Sequence, residues 1–230
     1  MNTTNLIRSY PIFAGLSQAE LDQLAACLTK RTYGKGAYLY HPGNPAMNFY
    51  LVESGLVRLF FTDARGQEYL LELVGPGAMI GVPLLYEDQV RALGAAAVVP
   101  SVVLVLPQSD LLRFAQRFPR LMHNIYRSLD AGMRRLMEFI QTLVVLRVDG
   151  RLAILILHLS EIHAGQGSPN EFDAPVSQAE MARWLGASRG HLNRALNRLQ
   201  QLGLIRVDGQ KFTILDRRGL QRMAEELTIE

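Results

Sequence analysis

The sequence predicts an α+β chain in three parts: an N-terminal jelly-roll or β-roll over residues 1–117, a long dimerisation helix over 118–147, and a C-terminal winged helix-turn-helix over 148–230. Three observations predict it. Glycines cut the first half into short apolar runs. A strict 3.5-residue repeat occupies the middle. Short helical patterns with their own caps precede a hairpin at the end.

The composition sets the outer bounds. The chain has 230 residues, 49% of them hydrophobic and 20% charged, enough apolar material for compact cores, which excludes wholesale disorder. Cys27 is the single cysteine, so there is no disulfide framework and no four-cysteine zinc or iron–sulfur site within one chain. The first residues carry no apolar run of signal-peptide length. The longest uncharged stretch, Ala92 to Ser109, is split by Pro100-Ser101 into two β-branched runs. A cytoplasmic chain without a membrane span is expected.

The elements follow in order. Ser17-Gln18-Ala19-Glu20 is a capping box, in which serine and glutamate satisfy each other's backbone amides at a helix start. Glycines at 34, 36, 43, 55, 66, 75, 77, 81 and 94 then punctuate short runs at 49–52, 56–61, 69–74, 95–99 and 102–106. Short strands with turn signals at this spacing indicate a closed sandwich or jelly-roll. From Phe118 the pattern changes. Phe118, Met122, Ile125, Leu129, Gly132, Leu136, Phe139, Leu143 and Leu146 alternate at spacings of four and three, and only Gly132 is not apolar. Such a repeat buries itself against a second helix, which predicts a homodimer seam along Met122, Ile125, Leu129, Gly132, Leu136, Phe139 and Leu143. A single helix packed on its own domain is the other reading of that stripe.

The last third is helical and then hairpin-like. Arg151–Ile162 is apolar almost all round, a core helix, and 165–170 is a loop. A second capping box, Ser177 to Glu180, opens a helix that turns Met181, Trp184 and Leu185 inward. Ser188 caps the next helix, which reaches Gln201, with Leu192, Ala195, Leu196 and Leu199 as its buried stripe. Arg189, Gly190, Asn193, Arg194 and Asn197 lie opposite. Gly203 ends this helix, and 204–207 and 210–215 form a hairpin about Asp208-Gly209, a type I′ signature. Asp216 caps a final helix. Helix, glycine turn, helix and hairpin in that order make a winged helix-turn-helix.

Charge concentrates in the same region. Basic and acidic residues number nine and nine in 1–117, five and two in 118–147, and ten and ten in 148–230. Yet 183–222 holds nine bases (Arg183, Arg189, Arg194, Arg198, Arg206, Lys211, Arg217, Arg218 and Arg222) against Asp208 and Asp216. That local surplus fits a surface for a polyanion. It also fits a solvated basic face with no partner.

The stretch from Val176 to Leu196 resembles the Crp/Fnr family of bacterial transcription regulators. So do Tyr38-Leu39-Tyr40-His41-Pro42-Gly43 and Phe49 to Leu59, which are similar to that family's cyclic-nucleotide-binding β-roll, and Gly75 to Gly81, similar to the turn before its phosphate cassette. The resemblance spans nearly the whole chain. It implies a homodimeric, sequence-specific DNA-binding regulator that meets RNA polymerase. The helix from Ser188 would enter the major groove, the two copies lying about 34 Å apart on an imperfect palindrome. On that reading Arg189, His191, Asn193 and Arg194 face the bases or first phosphates, and Ser188 at the helix start, Gly190 and Asn197 complete the DNA-binding set on the same helix. Arg183, Arg206 and Lys211 touch phosphates. Arginine forks onto guanine and asparagine onto adenine. Gly190 departs from the family, which carries there a glutamate that reads cytosine, so the half-site is expected to differ.

The effector positions depart further. Cyclic-AMP-binding relatives carry a glutamate after the cassette glycine, a downstream arginine, and two hydroxyl residues on the long helix. Here Gly81 is followed by Val82, Arg91 takes the arginine's place, and Leu136 and Met137 stand for the hydroxyls. Cyclic AMP is not expected, since its polar atoms would be buried unpaired. An iron–sulfur cluster lacks its cysteines, and His41, His123 and Cys27 lack the spacing of haem ligands. Gly81-Val82 looks like the corresponding stretch of members that bind 2-oxoglutarate, so Gly81, Val82, Arg91, Arg134 and Arg135 are candidates to hold an anionic acid. Arg91 as a structural residue in an effector-free regulator remains open. A different reading makes the chain an anion sensor whose C-terminal domain binds protein. No gly-rich phosphate loop followed by a helix, nucleophile pair or metal spacing suggests an enzyme or a metal site.

Overall fold

The computed structural model describes residues 3–81, 90–145, 147–163 and 170–225, and the backbone alone of 138, 139, 141–145, 163 and 225. The chain divides into two compact units, Met1–Leu136 and Met137–Glu230. Val82, a candidate effector residue, and the 165–169 part of the expected loop lie outside the described residues.

In the first unit, helix α1 (Thr3–Ile7), a 3-10 turn (Pro11–Phe13) and α2 (Gln18–Ala25) precede eight strands: β1 (Thr29–Tyr33), β2 (Tyr38–Tyr40), β3 (Asn48–Ser54), β4 (Val57–Thr62), β5 (Glu68–Val74), β6 (Met79–Ile80), β7 (Gly94–Ala97) and β8 (Ser101–Pro107). They form two antiparallel four-stranded sheets, ordered β1-β8-β3-β6 and β2-β7-β4-β5. The jelly-roll reading holds. The Ser17 box also forms as expected: its hydroxyl accepts from the Glu20 amide, and the Glu20 carboxylate accepts from the Ser17 amide.

Strands β3 and β8 read as unbroken apolar runs because both of their faces are covered. Tyr50, Val52, Val103 and Val105 point into a core with Leu39, Val57, Val74 and Ile80. Their alternates Phe49, Leu51, Leu104 and Leu106 join a second core with Ile7, Phe13, Leu21 and Leu24 from the N-terminal helices. Side chains of a strand alternate between faces, so a run without polar gaps needs a partner on each side.

Helix α3 (Gln108–Arg117) precedes α4 (Pro119–Val145). Between them Phe118 is extended, at φ −114° and ψ 93°. Proline disfavours helical backbone in the residue before it, and its missing N–H costs nothing at a helix's first position. The long helix thus starts where the repeat was expected to start.

Its apolar stripe corrects the expected seam at Ile125, which is 0% exposed and lies in one cluster with Ile12, Phe13, Phe114, Phe118 and Leu121. The neighbouring Asn124 fixes this rotation, donating from Nδ2 to the carbonyls of Ile12 (3.0 Å) and Ala14 (2.9 Å). Ile125 is thereby part of its own unit's core and is not free to meet a partner. The exposed apolar side chains are Met122, Tyr126, Leu129, Met133, Leu136, Met137 and Ile140. Taken as 122, 126, 129, 133, 136 and 140, they keep the alternation of four and three with Tyr126 and Met133 in place of Ile125 and the half-buried Gly132. The side chains of Phe139 and Leu143 lie outside the described residues.

The second unit is built on α5 (Val148–His163), which buries Leu152, Ala153, Leu155, Ile156 and Leu159. Strand β9 (Glu171–Asp173) follows, then α6 (Gln178–Trp184), α7 (Arg189–Gln201), β10 (Ile205–Asp208), β11 (Lys211–Ile214) and α8 (Arg217–Glu225). The order is the expected winged helix-turn-helix. Met181 and Leu185 are buried and Trp184 half-buried, and Leu192, Ala195, Leu196 and Leu199 are the buried stripe of α7. Asp216 accepts from the Gly219 amide at 2.9 Å, capping α8.

Two local details differ from expectation. Asp208 pairs with Lys211, so the two-residue turn is Gly209-Gln210, one residue later than expected. Gly209, at φ 61°, is its first central residue, where left-handed backbone suits glycine. Strand β9, which carried no sequence signal, pairs with β11 and widens the hairpin to three strands. Among the described residues no helix is long and apolar enough to cross a membrane.

Candidate nucleic-acid interface

The turn between α6 and α7 is fixed by three local devices. Ser177 and Glu180 form the second capping box as expected. Gly186, at φ 61°, ends α6 in the left-handed region that glycine adopts without strain. Ser188 then caps α7, its hydroxyl accepting from the His191 amide at 3.2 Å and pairing with His191 Nδ1 at 2.8 Å. The imidazole is therefore tied back over the helix start.

Leu192, Ala195, Leu196 and Leu199 anchor one side of α7 in the unit's core, and this anchoring turns the other side outward. Ser188, Arg189, Gly190, His191, Asn193, Arg194 and Asn197 are all exposed, as are Arg183 on α6 and Arg206 and Lys211 on the hairpin. Every sequence-predicted contact residue thus lies on the surface of one unit.

The nine bases of 183–222 divide into two sets. Arg198 pairs with Asp149 at 3.0 Å, Lys211 with Glu171 at 3.1 Å, Arg217 with Glu161 at 3.6 Å and Arg222 with Asp216 at 3.8 Å. Among the described residues Arg183, Arg189, Arg194, Arg206 and Arg218 have no carboxylate partner. Three of those four carboxylates come from outside the basic window, so the surplus seen in sequence is partly neutralised. What remains unpaired includes the outward arginines of α7. An exposed cation without a local counter-charge is open to a phosphate or to the O6 and N7 of guanine.

A cleft of about 310 Å³ lies between α7 and the hairpin. Four carboxamides line it, from Gln178, Asn193, Asn197 and Gln200, together with Leu196, Val207 and Gly209. Gln200 Oε1 accepts from the Val207 amide at 3.1 Å and so ties the hairpin to the helix. Sequence reasoning found Asn193 and Asn197 but not Gln178 or Gln200, whose relation to the hairpin appears only in three dimensions.

In the first unit the structure joins two of the effector candidates. Arg91 is 6% exposed, with its guanidinium 4.4 Å from the centre of the Tyr40 ring, and Nη2 donates to the Asn48 carbonyl. A Cβ on Gly81 would lie 2.5 Å from Arg91 Nη1, so this close approach requires glycine. Burial pushes the Tyr40 hydroxyl up to about 12, against an opposing pull from Arg91. Among the described residues Arg91 Nε has no hydrogen-bond partner. Arg134 and Arg135 are engaged elsewhere, with Asp130 (3.0 Å) and with Glu72 on β5 (2.9 Å). Among the described residues no three of His, Cys, Asp and Glu gather as a metal site.

Comparison with known proteins agrees with this division of labour. Residues 30–118 match the cyclic nucleotide-binding domain family, and residues 150–223 the Crp-like helix-turn-helix domain family. The chain is 31% identical over 201 residues to the cyclic AMP receptor protein of Thermus thermophilus, covering 87% of this chain and 90% of that one. It is 28% identical to the anaerobic regulatory protein of Pasteurella multocida, over 87% of this chain and 74% of that one. Among solved structures, FixK2 from Bradyrhizobium japonicum shares the fold, with a TM-score of 0.73 at 21% identity over 85% of this chain and 96% of that one. The β-roll, the helix-turn-helix with its outward arginines, and these relatives together place the chain in the Crp/Fnr family of DNA-binding transcription regulators.

Proposed function

We propose that the protein works as a homodimer, joined along the exposed apolar face of α4, that sets two copies of α7 into successive major grooves of an imperfect palindrome. There it controls transcription together with RNA polymerase, independently of cyclic AMP. The observation that carries this reading is the outward face of α7, on which Arg189, Asn193, Arg194 and Asn197 stand exposed and the two arginines have no carboxylate partner among the described residues. The unpartnered stripe from Met122 to Ile140 supports the dimer. Independence from cyclic AMP is supported by the exposed, apolar Leu136 and Met137, which offer no hydroxyl to a nucleotide base.

Titrating promoter fragments at several salt concentrations tests the reading. Each phosphate neutralised by a base contributes about −0.9 to the slope of log K against log salt. A steep slope is expected, unchanged by added cyclic AMP, and a binding constant indifferent to salt would contradict it.

One observation favours an added sensory role. A buried guanidinium with an unpartnered Nε and no carboxylate partner among the described residues is costly. A small anionic acid bound at Arg91 would relieve that cost. Native mass spectrometry of freshly purified protein tests this: an added mass that disappears in Arg91→Met supports the acid, and bare protein opposes it.

A further inference from the structure

We infer that Ser188 and His191 form a proton-responsive pair at the start of α7, through which the protein binds DNA more tightly as pH falls. The inference rests on the DNA-binding reading and adds to it a chemical signal, the proton, and the side chain that receives it.

The pair is built by the helix cap. Ser188 Oγ accepts from the His191 amide at 3.2 Å and lies 2.8 Å from His191 Nδ1, so one hydroxyl holds both the backbone and the ring. This pins the imidazole over the first turn of α7, with Nδ1 turned in and Nε2 as the outward nitrogen. Ser188 and His191 are both exposed, and Gly190 adds no side chain to cover the ring. Leu192 and Ala195 are buried in the unit's core on the other side, which keeps this face of the helix outward.

The elements packed most closely against α7 are α5, α6 and β10. Their charged and titratable groups are Asp149, Arg151, His158, Glu161 and His163 on α5, Glu180 and Arg183 on α6, and Arg206 and Asp208 on β10. Glu180 is engaged with Ser177, Asp149 with Arg198 and Glu161 with Arg217. Among the described residues no carboxylate pairs with His191, and its nearest charged neighbours along α7 are Arg189 and Arg194. Within the protein, therefore, an imidazolium at 191 has no partner of opposite charge. A polyanion laid along the same face supplies one.

The chemistry follows from the two ring nitrogens. A neutral imidazole donates from one and accepts at the other, whereas the protonated ring donates from both. Once Nδ1–H donates to Ser188 Oγ, that oxygen accepts from the ring and from the backbone amide, and its own O–H is released to donate elsewhere. Nε2–H donates outward as part of a cation. One proton thus gives this surface a positive charge and two outward donors, against a partner whose phosphate oxygens only accept. Histidine is the side chain whose ordinary titration falls between about pH 5 and 8. Because DNA favours the protonated ring, proton uptake and DNA binding strengthen each other by the same factor.

The test uses the full-length protein and a duplex that the wild-type protein selects from a random-sequence pool. Affinities are measured from about pH 5.5 to about pH 8, the range of histidine titration, at several salt concentrations, with circular dichroism to confirm the fold of every variant. The wild-type protein is expected to bind about tenfold or more tightly per protomer at the acidic end, the range of one hydrogen bond to a charged group. Its salt slope should be steeper there by up to about 0.9 per protomer, the value for one added cation. His191→Gln keeps a neutral donor and should lose both changes. His191→Lys is charged throughout and should show the steeper slope at every pH. Ser188→Asp retains a capping side chain and sets a carboxylate beside Nδ1, so the rise in affinity should begin at higher pH. His41, His123, His158 and His163 are unchanged in these variants. A pH response that survives in His191→Gln, a wild-type affinity that is flat with pH, or a Ser188→Asp response that begins at the wild-type pH would overturn the pair while the DNA-binding reading stands. Failure of the wild-type protein to select any duplex would remove that reading as well.

Discussion

Replacing Met133 by glutamine separates the seam on the α4 surface from the seam expected from the heptad repeat. Met133 is 61% exposed within one chain. Fully burying such a side chain stabilises by about 1.5–3 kcal/mol, so covering the exposed part contributes about 1–2 kcal/mol. A two-fold interface uses the same residue twice, which makes the loss about 2–4 kcal/mol, a dimer dissociation constant raised roughly 30- to 800-fold. Glutamine keeps helix propensity close to that of methionine, so the helix itself should persist. Met47→Gln is the matched control, because Met47 is 64% exposed and belongs not to α4 but to the segment directly before β3. Ile125→Ala is the opposite control: this residue is 0% exposed, and its truncation should lower the stability of the fold by about 2–5 kcal/mol and leave dimer affinity near wild type. Sedimentation equilibrium and urea unfolding read the two quantities separately. The reasoning fails if Met133→Gln dimerises as tightly as wild type, or if Met47→Gln is equally damaging.

Two other predictions concern the pocket and the recognition helix. Tyr40 is held neutral by burial, with its hydroxyl pushed from 10.0 up to about 12. A raised folded-state value means stability is fully present below pH 10 and declines as pH rises from 10 towards 12, by at most about 1.4 kcal/mol per unit. Urea unfolding of Tyr40→Phe should be flatter than wild type over that window, and equal slopes would remove the buried phenol as the cause. Gly190 is exposed near the start of α7, and a Cβ there would meet only Ser188 Oγ, at 3.9 Å. Gly190→Glu should therefore be accommodated and offer an acceptor to the cytosine amino group, worth about 1–3 kcal/mol of discrimination at one base pair. In-vitro selection should return a half-site with a new cytosine, and an unchanged half-site would place residue 190 away from the bases.

What could be read from sequence was whatever neighbouring residues decide among themselves. The capping boxes at Ser17 and Ser177 need four consecutive residues, and both form. The buried stripe of α7 needs one helix and its periodicity, and all four predicted residues are buried. The turn in the hairpin was off by one because Asp208-Gly209 and Gly209-Gln210 are both acceptable to glycine, and the register is set by pairing along the strands. The exposed apolar face of α4 differs from the expected stripe for a longer-range reason. A heptad stripe says that a helix has an apolar face, but Ile125 is claimed by Ile12 and Phe13, more than a hundred residues earlier in the chain. Asn124, whose amide locks that contact, looks like any polar surface residue until the carbonyls of Ile12 and Ala14 are placed against it.

The same distinction governs the charge. Counting bases along 183–222 treats nine cations as equivalent, although Asp149, Glu161 and Glu171 reach into the window and neutralise three of them, and Asp216 a fourth. Of the five bases without such partners among the described residues, Arg189 and Arg194 lie on α7, Arg183 on α6 and Arg206 on β10. The other is Arg218 on α8. Pairing at the surface contributes little to stability, typically well under about 1 kcal/mol. Its larger effect here is to narrow where positive potential remains. A polyanion is therefore drawn to the helix-turn-helix and the first strand of the hairpin. There the outward arginines raise the local concentration of a polyanion and steer its approach.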